Sequence, residues 1–90
     1  MNIVIVGTGY VGLVSGVGFA EQGHKVSFID LDIDKIQNLK NKQLPFFEPE
    51  LDHYFEKDEN FSRMSFHSSY ESIDWQLIDI VFICVQTPNN

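Results

Sequence analysis

The chain begins with its stiffest stretch and passes at once into its most flexible one. Four β-branched residues, Ile3 to Val6, are followed by five of the protein's six glycines, which lie between Gly7 and Gly18. A short, continuous β-branched run is typical of a strand buried on both faces. Glycine directly after such a strand permits a tight turn and lets another group approach the backbone closely. The sequence therefore predicts a buried strand that ends in an open backbone turn.

Strand-like and helical stretches alternate along the rest of the chain. A helical spacing of apolar residues starts at Tyr10, and strands are expected near residues 2–7, 25–30, 63–67 and 78–85. Strands that alternate with helices pair in parallel and are joined by crossover helices. We therefore predict an α/β fold with a Rossmann-like parallel sheet in the strand order 3-2-1-4. Such a sheet is the N-terminal half of a dinucleotide-binding domain.

Turn and capping residues mark the ends of the predicted helices. Gly23 is placed to end the first helix, Asp32 to cap the second, and Pro49 to occupy the first turn of the third. We interpret Trp75 and the eight phenylalanines as core residues or as contacts with other parts of the protein. Spacing also predicts the buried residues of the second and third helices: Ile33, Ile36 and Leu39, then Leu51, Tyr54 and Phe55.

The first three glycines fit a phosphate-binding pattern in the right context. Gly7, Gly9 and Gly12 match G-x-G-x-x-G, a pattern that recurs by chance when it stands alone. Here it follows a strand and opens a helix, and Asp30 ends the next strand 18 residues after Gly12. This combination is the fingerprint of dinucleotide binding. The sequence therefore predicts a dinucleotide site at the end of the first strand.

Each glycine has its own expected role in that site. Gly7 permits the tight turn, Gly9 lets a pyrophosphate approach the backbone, and Gly12 lets the helix pack close to the strand. Backbone N–H groups at the helix start then hold the phosphates. We interpret Gly16 and Gly18 as packing residues that thin the helix where it crosses the sheet.

Asp30 bears on the choice of cofactor. Its carboxylate is expected to accept hydrogen bonds from the adenosine ribose and to repel a 2′-phosphate. The next residue is Leu31, not an arginine that could compensate. This combination favours NAD over NADP. The alternative is that Asp30 is simply an acid that ends a strand or caps a neighbouring segment.

The composition excludes several classes of function. A formal net charge of -7 argues against a general binder of nucleic acid or of membrane surfaces, because phosphate groups select basic faces. The single cysteine, Cys84, indicates a reducing cytoplasm, and its apolar neighbours suggest a small hydrophobe, not a nucleophile. His24, His53 and His67 share no ligand spacing, so no metal site is predicted.

Three segments carry a resemblance to a known family. "GTGYVGLVSGVGFAEQGHKVSFIDLD" resembles the opening of the UDP-glucose and GDP-mannose dehydrogenase family. "LPFFEPEL" is similar to the family's P-x-[YF]-E-P-G-L segment, with Glu50 where glycine is usual, and "VFICVQTP" is similar to its V-x-T-P turn. The resemblance covers essentially the whole chain. The second and third segments are much more specific than the glycine pattern.

This resemblance implies NAD as the cofactor and suggests which residues contact it. The contacts map onto Val11 of the glycine turn, Asp30 and Lys35 near the ribose, and Thr87 of V-x-T-P. Tyr10 is a further candidate, placed to lean over the cofactor. Structural alternatives stand beside three of these: Lys35 as a solvent-facing helix residue, Tyr10 as an aromatic packed on its neighbours, and Thr87 as a strand end.

The same resemblance implies an enzyme that oxidises the C6 alcohol of a UDP- or GDP-sugar to a carboxylate with two NAD, with UDP-glucose to UDP-glucuronate as the favoured reaction. The full-length protein is expected to form a homo-oligomer. The family's catalytic lysine, asparagine and cysteine match no residue here, so the 90-residue chain alone is expected to be inactive. We interpret residues 1–90 as a truncated NAD-binding domain, with the catalytic and sugar-binding parts further along the chain.

Two alternatives remain open. One is another NAD-dependent dehydrogenase, of the hydroxyacyl-CoA or 6-phosphogluconate type, which the E-P-x-L and V-x-T-P segments disfavour. The other is a regulatory module that binds a nucleotide without catalysis. The apolar run "IDIVFICV" predicts a buried fourth strand. In the isolated chain this strand is expected to be an open edge whose apolar side chains are poorly covered. The isolated chain is therefore predicted to self-associate or to be marginally stable.

Overall fold

The structure is a computed structural model, and it describes residues 1–85. The described residues form a four-stranded sheet in the order β3-β2-β1-β4, and every neighbouring pair is parallel. The predicted fold class and strand order are therefore confirmed. In chain order the elements are β1 (Asn2–Val6), α1 (Tyr10–Glu21), β2 (Lys25–Ile29), α2 (Ile33–Lys40), α3 (Pro49–Glu56), α4 (Asp58–Phe61), β3 (Met64–His67), two 3₁₀ helices (Tyr70–Ser72 and Trp75–Leu77) and β4 (Ile80–Ile83).

One face of the sheet carries the main core. Alternate strand residues point to this face, where they pack against apolar residues of α1, α2 and α3. Phe28 and Phe66 stack across β2 and β3 with their ring centroids 5.3 Å apart. Leu13, Leu39 and Phe55, one from each helix, are fully buried against this layer. The helices therefore hold β1 and β2 rigidly, which fixes the positions of their C-terminal ends.

The opposite face is covered unevenly. Val4, Val6 and Ile29 are buried there by Ile73, and Ile78 packs against them from its half-buried position. Beyond them, two side chains of β4 on the same face, Val81 and Ile83, are 40% and 67% exposed. The interpretation of β4 as a buried strand is therefore wrong within residues 1–85. Its expected exposure as an edge strand is confirmed, and self-association stays a prediction.

Several local predictions are confirmed. Asp32 caps α2 by accepting a hydrogen bond from the Lys35 N–H, and Pro49 is the first residue of α3. Gly23 follows the end of α1 with φ +99°, a conformation that favours glycine. Among the described helices, none is long and apolar enough to cross a membrane.

Two side chains predicted to be buried, Ile33 and Tyr54, lie at the surface, and two aromatic side chains interpreted as core residues or as contacts with other parts of the protein, Phe47 and Trp75, are exposed. Ile33 is the first residue of α2 and is 67% exposed, whereas Ile36 and Leu39, further along the helix, are buried. Phe47 is 85% exposed in the loop before α3. Tyr54 and Trp75 are also exposed, on α3 and on the second 3₁₀ helix.

Candidate functional site

The turn after β1 lies between the C-terminal ends of β2 and β4 and contacts both. Gly7 has φ +102°, and its N–H donates a hydrogen bond to the Ile29 carbonyl at 2.8 Å. A Cβ at residue 7 would stand 2.8 Å from the Cys84 carbonyl oxygen. Glycine is therefore required at this position both by backbone conformation and by contact with the residue that follows β4.

The next two glycines of the pattern differ in what surrounds them. A Cβ at Gly12 would stand 2.0 Å from the Gly7 carbonyl oxygen, so helix and turn can approach only because this side chain is absent. Gly9 is exposed, and a Cβ there would meet nothing within 4 Å. The close packing expected of Gly12 is confirmed. At Gly9 the structure leaves open space over the backbone.

The start of α1 leaves its backbone donors without a side-chain cap. Gly9 is the N-cap, it has no side chain, and no acidic residue lies in the first turn. The first intrahelical hydrogen bond runs from the Leu13 N–H to the Gly9 carbonyl. The N–H groups of Tyr10, Val11 and Gly12 precede that bond, so helix geometry gives them no intrahelical acceptor. Together with the positive end of the helix dipole, they favour an anion at this position.

Asp30 lies directly after β2 and is tied to the glycine turn. Its Oδ2 accepts hydrogen bonds from the Thr8 N–H at 3.0 Å and from the Thr8 hydroxyl at 2.7 Å. Its Oδ1 accepts one from the Asp32 N–H at 3.0 Å. Asp30 therefore does cap neighbouring backbone, as its structural alternative expects. Asp30 also lines a groove beside the turn.

The same contacts keep Asp30 ionised. Burial on its own would raise the pKa of this carboxyl. The hydrogen bonds from Asp32 and Thr8, with the positive charge of Lys35, outweigh burial and hold the pKa below its ordinary value of 3.8. At neutral pH a negative charge therefore stands at the end of β2.

Two more predicted contact residues lie close to the turn. Lys35 Nζ is 3.9 Å from Asp30 Oδ2, so this lysine faces the aspartate across the start of α2. Tyr10 is 56% exposed, and its ring packs on Phe46 with centroids 5.3 Å apart. Tyr10 therefore packs on a neighbour, as its structural alternative expects, and keeps an exposed surface. Thr87 lies outside the described residues.

Two open grooves flank the glycine turn. The first, of about 410 Å³, lies between the start of α1 and the end of β4. The second, of about 190 Å³, lies between the ends of β1 and β2. Val85 lines both, so the grooves adjoin. Their linings are Gly9, Tyr10, Val11, Cys84 and Val85 for the first, and Val6, Gly7, Ile29, Asp30, Leu31, Tyr70 and Val85 for the second.

Sequence reasoning missed three residues of this region. Thr8, within the turn, is fully buried, and Tyr70 and Val85 form apolar walls of the grooves. For Thr8 a signal was present, because a polar residue inside a glycine turn needs a partner and Asp30 was already placed nearby. Nothing in the sequence pointed to Tyr70, which reaches the groove from the first 3₁₀ helix.

A parallel sheet in this order, whose first strand ends in a glycine turn beneath an uncapped helix, defines a dinucleotide-binding domain of the Rossmann type. The family model for the NAD-binding domain of the UDP-glucose/GDP-mannose dehydrogenase family matches residues 1–90. The chain belongs to this family.

Individual relatives agree with that assignment. The chain is 47% identical over 88 residues to the UDP-glucose 6-dehydrogenase YwqF of Bacillus subtilis, covering 98% of this chain and 20% of that protein. It is 45% identical over 89 residues to a UDP-glucose 6-dehydrogenase of Rhizobium meliloti, covering 99% of this chain and 20% of that protein. The chain thus spans about a fifth of the length of these relatives.

Solved structures give the same result for the fold. The chain is similar to the GDP-mannose dehydrogenase of Pseudomonas aeruginosa in a ternary complex, with TM-score 0.87 and 31% identity over 100% of this chain and 20% of that one. It is similar to the UDP-glucose dehydrogenase of Pyrobaculum islandicum, with TM-score 0.85 and 32% identity over 99% of this chain and 20% of that one.

Proposed function

We propose that this chain binds the adenosine and pyrophosphate half of NAD at the glycine turn. The observation that carries the proposal is the adjacency of two features at the C-terminal ends of β1 and β2. One is open space over Gly9 beside uncapped N–H groups, and the other is the ionised carboxylate of Asp30. A pyrophosphate needs the first feature, and a ribose hydroxyl needs an acceptor such as the second.

The residues fit the cofactor in distinct ways. Gly7 shapes the turn, Gly9 leaves room for the phosphates, and the N–H groups of Tyr10, Val11 and Gly12 are placed to hold them. Asp30 would accept a hydrogen bond from the ribose, and Lys35 Nζ lies 3.9 Å from Oδ2 of the same carboxylate. Thr87 is proposed as a further contact on the strength of the family resemblance. The apolar walls at Leu31, Tyr70 and Val85 suit an adenine ring.

NAD, when bound, supplies a hydride acceptor to the complete protein. We propose that this protein is a nucleotide-sugar 6-dehydrogenase, which oxidises the C6 alcohol of UDP-glucose to the carboxylate of UDP-glucuronate with two NAD. Support comes from the relatives in two organisms that are named UDP-glucose 6-dehydrogenases. Catalytic and sugar-binding parts would lie outside residues 1–90, the assembly would be homo-oligomeric, and the compartment would be the cytoplasm.

Titration calorimetry of the complete protein with NAD and NADP tests the cofactor site. We expect preference for NAD, and in Asp30→Ala a loss of roughly 10- to 100-fold in NAD affinity, the worth of hydrogen bonds to a charged group. Asp30 also holds the turn, so its loss could weaken the binding of both cofactors. The decisive quantity is therefore the ratio of NAD to NADP affinity, which should fall. Asp34→Ala, at an exposed acid in the first turn of α2, is the matched control.

NADH formation with UDP-glucose, followed at 340 nm, tests the reaction. We expect turnover by the complete protein and none by residues 1–90 alone. NAD binding without turnover on any UDP- or GDP-sugar would favour a regulatory module. Turnover on a hydroxyacyl-CoA or on 6-phosphogluconate would instead favour the other dehydrogenase class.

A further inference from the structure

Thr8 is the residue within the glycine turn that has no role in the proposed phosphate site. It is fully buried, although threonine is a polar residue. Its hydroxyl and its backbone N–H both donate to the same atom, Asp30 Oδ2, at 2.7 Å and 3.0 Å. Two donors from one residue onto one carboxylate oxygen hold that oxygen in place, and a hydrogen bond to a charged acceptor is stronger than a neutral one.

The distribution of donors over the two oxygens of Asp30 is unequal. Oδ2 takes both donors from Thr8, with Lys35 Nζ at 3.9 Å, which is too far for a hydrogen bond. From residues 1–85, Oδ1 takes only the N–H of Asp32. A carboxylate offers about four acceptor positions, two on each oxygen. Three are used, so the remaining position is on Oδ1.

We propose that Thr8 is a positioning residue that orients the Asp30 carboxylate so that Oδ1 alone receives a ribose hydroxyl of the cofactor. The inference rests on the proposed function, because it assumes that Asp30 contacts the ribose. According to this inference, the preference for NAD over NADP depends on the side chain of Thr8, which contacts neither the ribose hydroxyl nor the 2′-phosphate. Thr8 acts through Asp30, since its own side chain is fully buried.

The lowered pKa of Asp30 supports this geometry. Burial opposes ionisation, and the Thr8 hydroxyl is one of the donors that reverse its effect on the pKa. Without that hydroxyl, Oδ2 keeps one backbone donor, and the carboxylate gains freedom to rotate. A carboxylate that rotates presents Oδ1 to the ribose for only part of the time, so NAD binds more weakly, while the negative charge that repels a 2′-phosphate is unchanged. The ratio of NAD to NADP affinity therefore falls.

The test uses three variants of Thr8 in the complete protein. Thr8→Val keeps the shape and removes the donor, Thr8→Ser keeps the donor, and Thr8→Ala removes the donor with a smaller side chain should the valine variant fail to fold. Titration calorimetry with NAD and with NADP should show the affinity ratio falling roughly tenfold in Thr8→Val and recovering in Thr8→Ser. NMR titration of the Asp30 carboxyl without cofactor should show a higher pKa in Thr8→Val and Thr8→Ala, and an unchanged direction of shift in Thr8→Ser, which keeps the donor.

Ser65→Ala is the matched control, because Ser65 also has a partly buried hydroxyl that bonds another side chain, Ser27, at 3.1 Å. It should leave the NAD to NADP ratio unchanged. A Thr8→Val protein that melts at a lower temperature yet keeps the wild-type ratio would show a merely structural role and overturn the proposal. If Asp30→Ala also keeps the ratio, the ribose role of Asp30 fails as well. If the ratio of NAD to NADP affinity falls in Asp30→Ala but is unchanged in Thr8→Val, only the positioning role of Thr8 is refuted.

Discussion

Gly16 lies so close to Phe28 that a Cβ at residue 16 would stand 2.3 Å from two atoms of the phenyl ring. This contact packs α1 closely against β2, the strand that Asp30 directly follows. Two residues further along the same helix, a Cβ at Gly18 would meet nothing within 4 Å. Gly16 is therefore a packing residue as predicted, and the same prediction for Gly18 is wrong because this residue faces outward.

These two glycines give a matched pair of substitutions. Gly16→Ala should lower the free energy of unfolding by roughly 1–2 kcal/mol, because overpacking the Phe28 contact outweighs the better helix propensity of alanine. Gly18→Ala should raise it by about 0.5–1 kcal/mol, since only propensity changes. Urea unfolding measures both. Equal effects of the two substitutions would contradict the contact with Phe28.

Gly9 allows stability and cofactor binding to be separated. Its backbone, with φ -75° and ψ -169°, suits alanine, and a Cβ would have no neighbour. Gly9→Ala should therefore leave the melting temperature nearly unchanged and weaken NAD binding, because the methyl group occupies the space assigned to the pyrophosphate. Calorimetry and thermal melts on one sample check both. Undiminished NAD affinity would place the phosphates elsewhere.

The strand order was predictable from the chain, whereas the faces of α1 were not. Alternating strands and helices specify a parallel sheet, and the apolar runs marked each strand end to within two residues. In α1, apolar and small residues occur all round the helix, so spacing cannot tell Gly16 from Gly18. The exposure of Val81 and Ile83 depends on what covers β4, and strand composition does not contain that information.

The candidate site was predictable where it follows local backbone rules. Gly7, Gly9, Gly12 and Asp30 follow from a spacing pattern, because a turn and a strand end are local features. The hydrogen bond from Thr8 to Asp30 joins residues that follow different strands, so it exists only once β1 and β2 are paired. Tertiary contacts of this kind leave no periodic signal in a single sequence.

Acid should weaken the fold partly through Asp30. Its pKa in the folded protein is below the ordinary 3.8, so the unfolded chain takes up this proton first as the pH falls. The stabilisation is present above pH 3.8 and is lost as the pH falls through the lower, folded pKa. Melting temperatures from pH 7 to pH 3 should show a shallower acid decline in Asp30→Asn than in the wild type. Glu50→Gln, at an exposed acid, should follow the wild type.

Lys42 combines an unfavourable backbone with favourable side-chain contacts. It has φ +62°, and its Nζ lies 3.0 Å from Asp58 Oδ1 and 4.9 Å from the centre of the Phe61 ring. Lys42→Ala loses the contacts and keeps the strain, whereas Lys42→Gly loses both. The glycine variant should be more stable than the alanine variant by up to about 1 kcal/mol in urea unfolding. The reverse order would show that residue 42 is not strained.

The contact between Gly7 and Cys84 has a consequence for how the protein is made. During translation, residue 7 leaves the ribosome about 4 to 15 s before residue 84, at 5–20 residues per second. For that interval the glycine turn exists without the wall against which it closes. A contact between such distant residues also forms slowly, because a long loop must close first. The glycine turn therefore reaches its closed form only after β4 has docked beside β1.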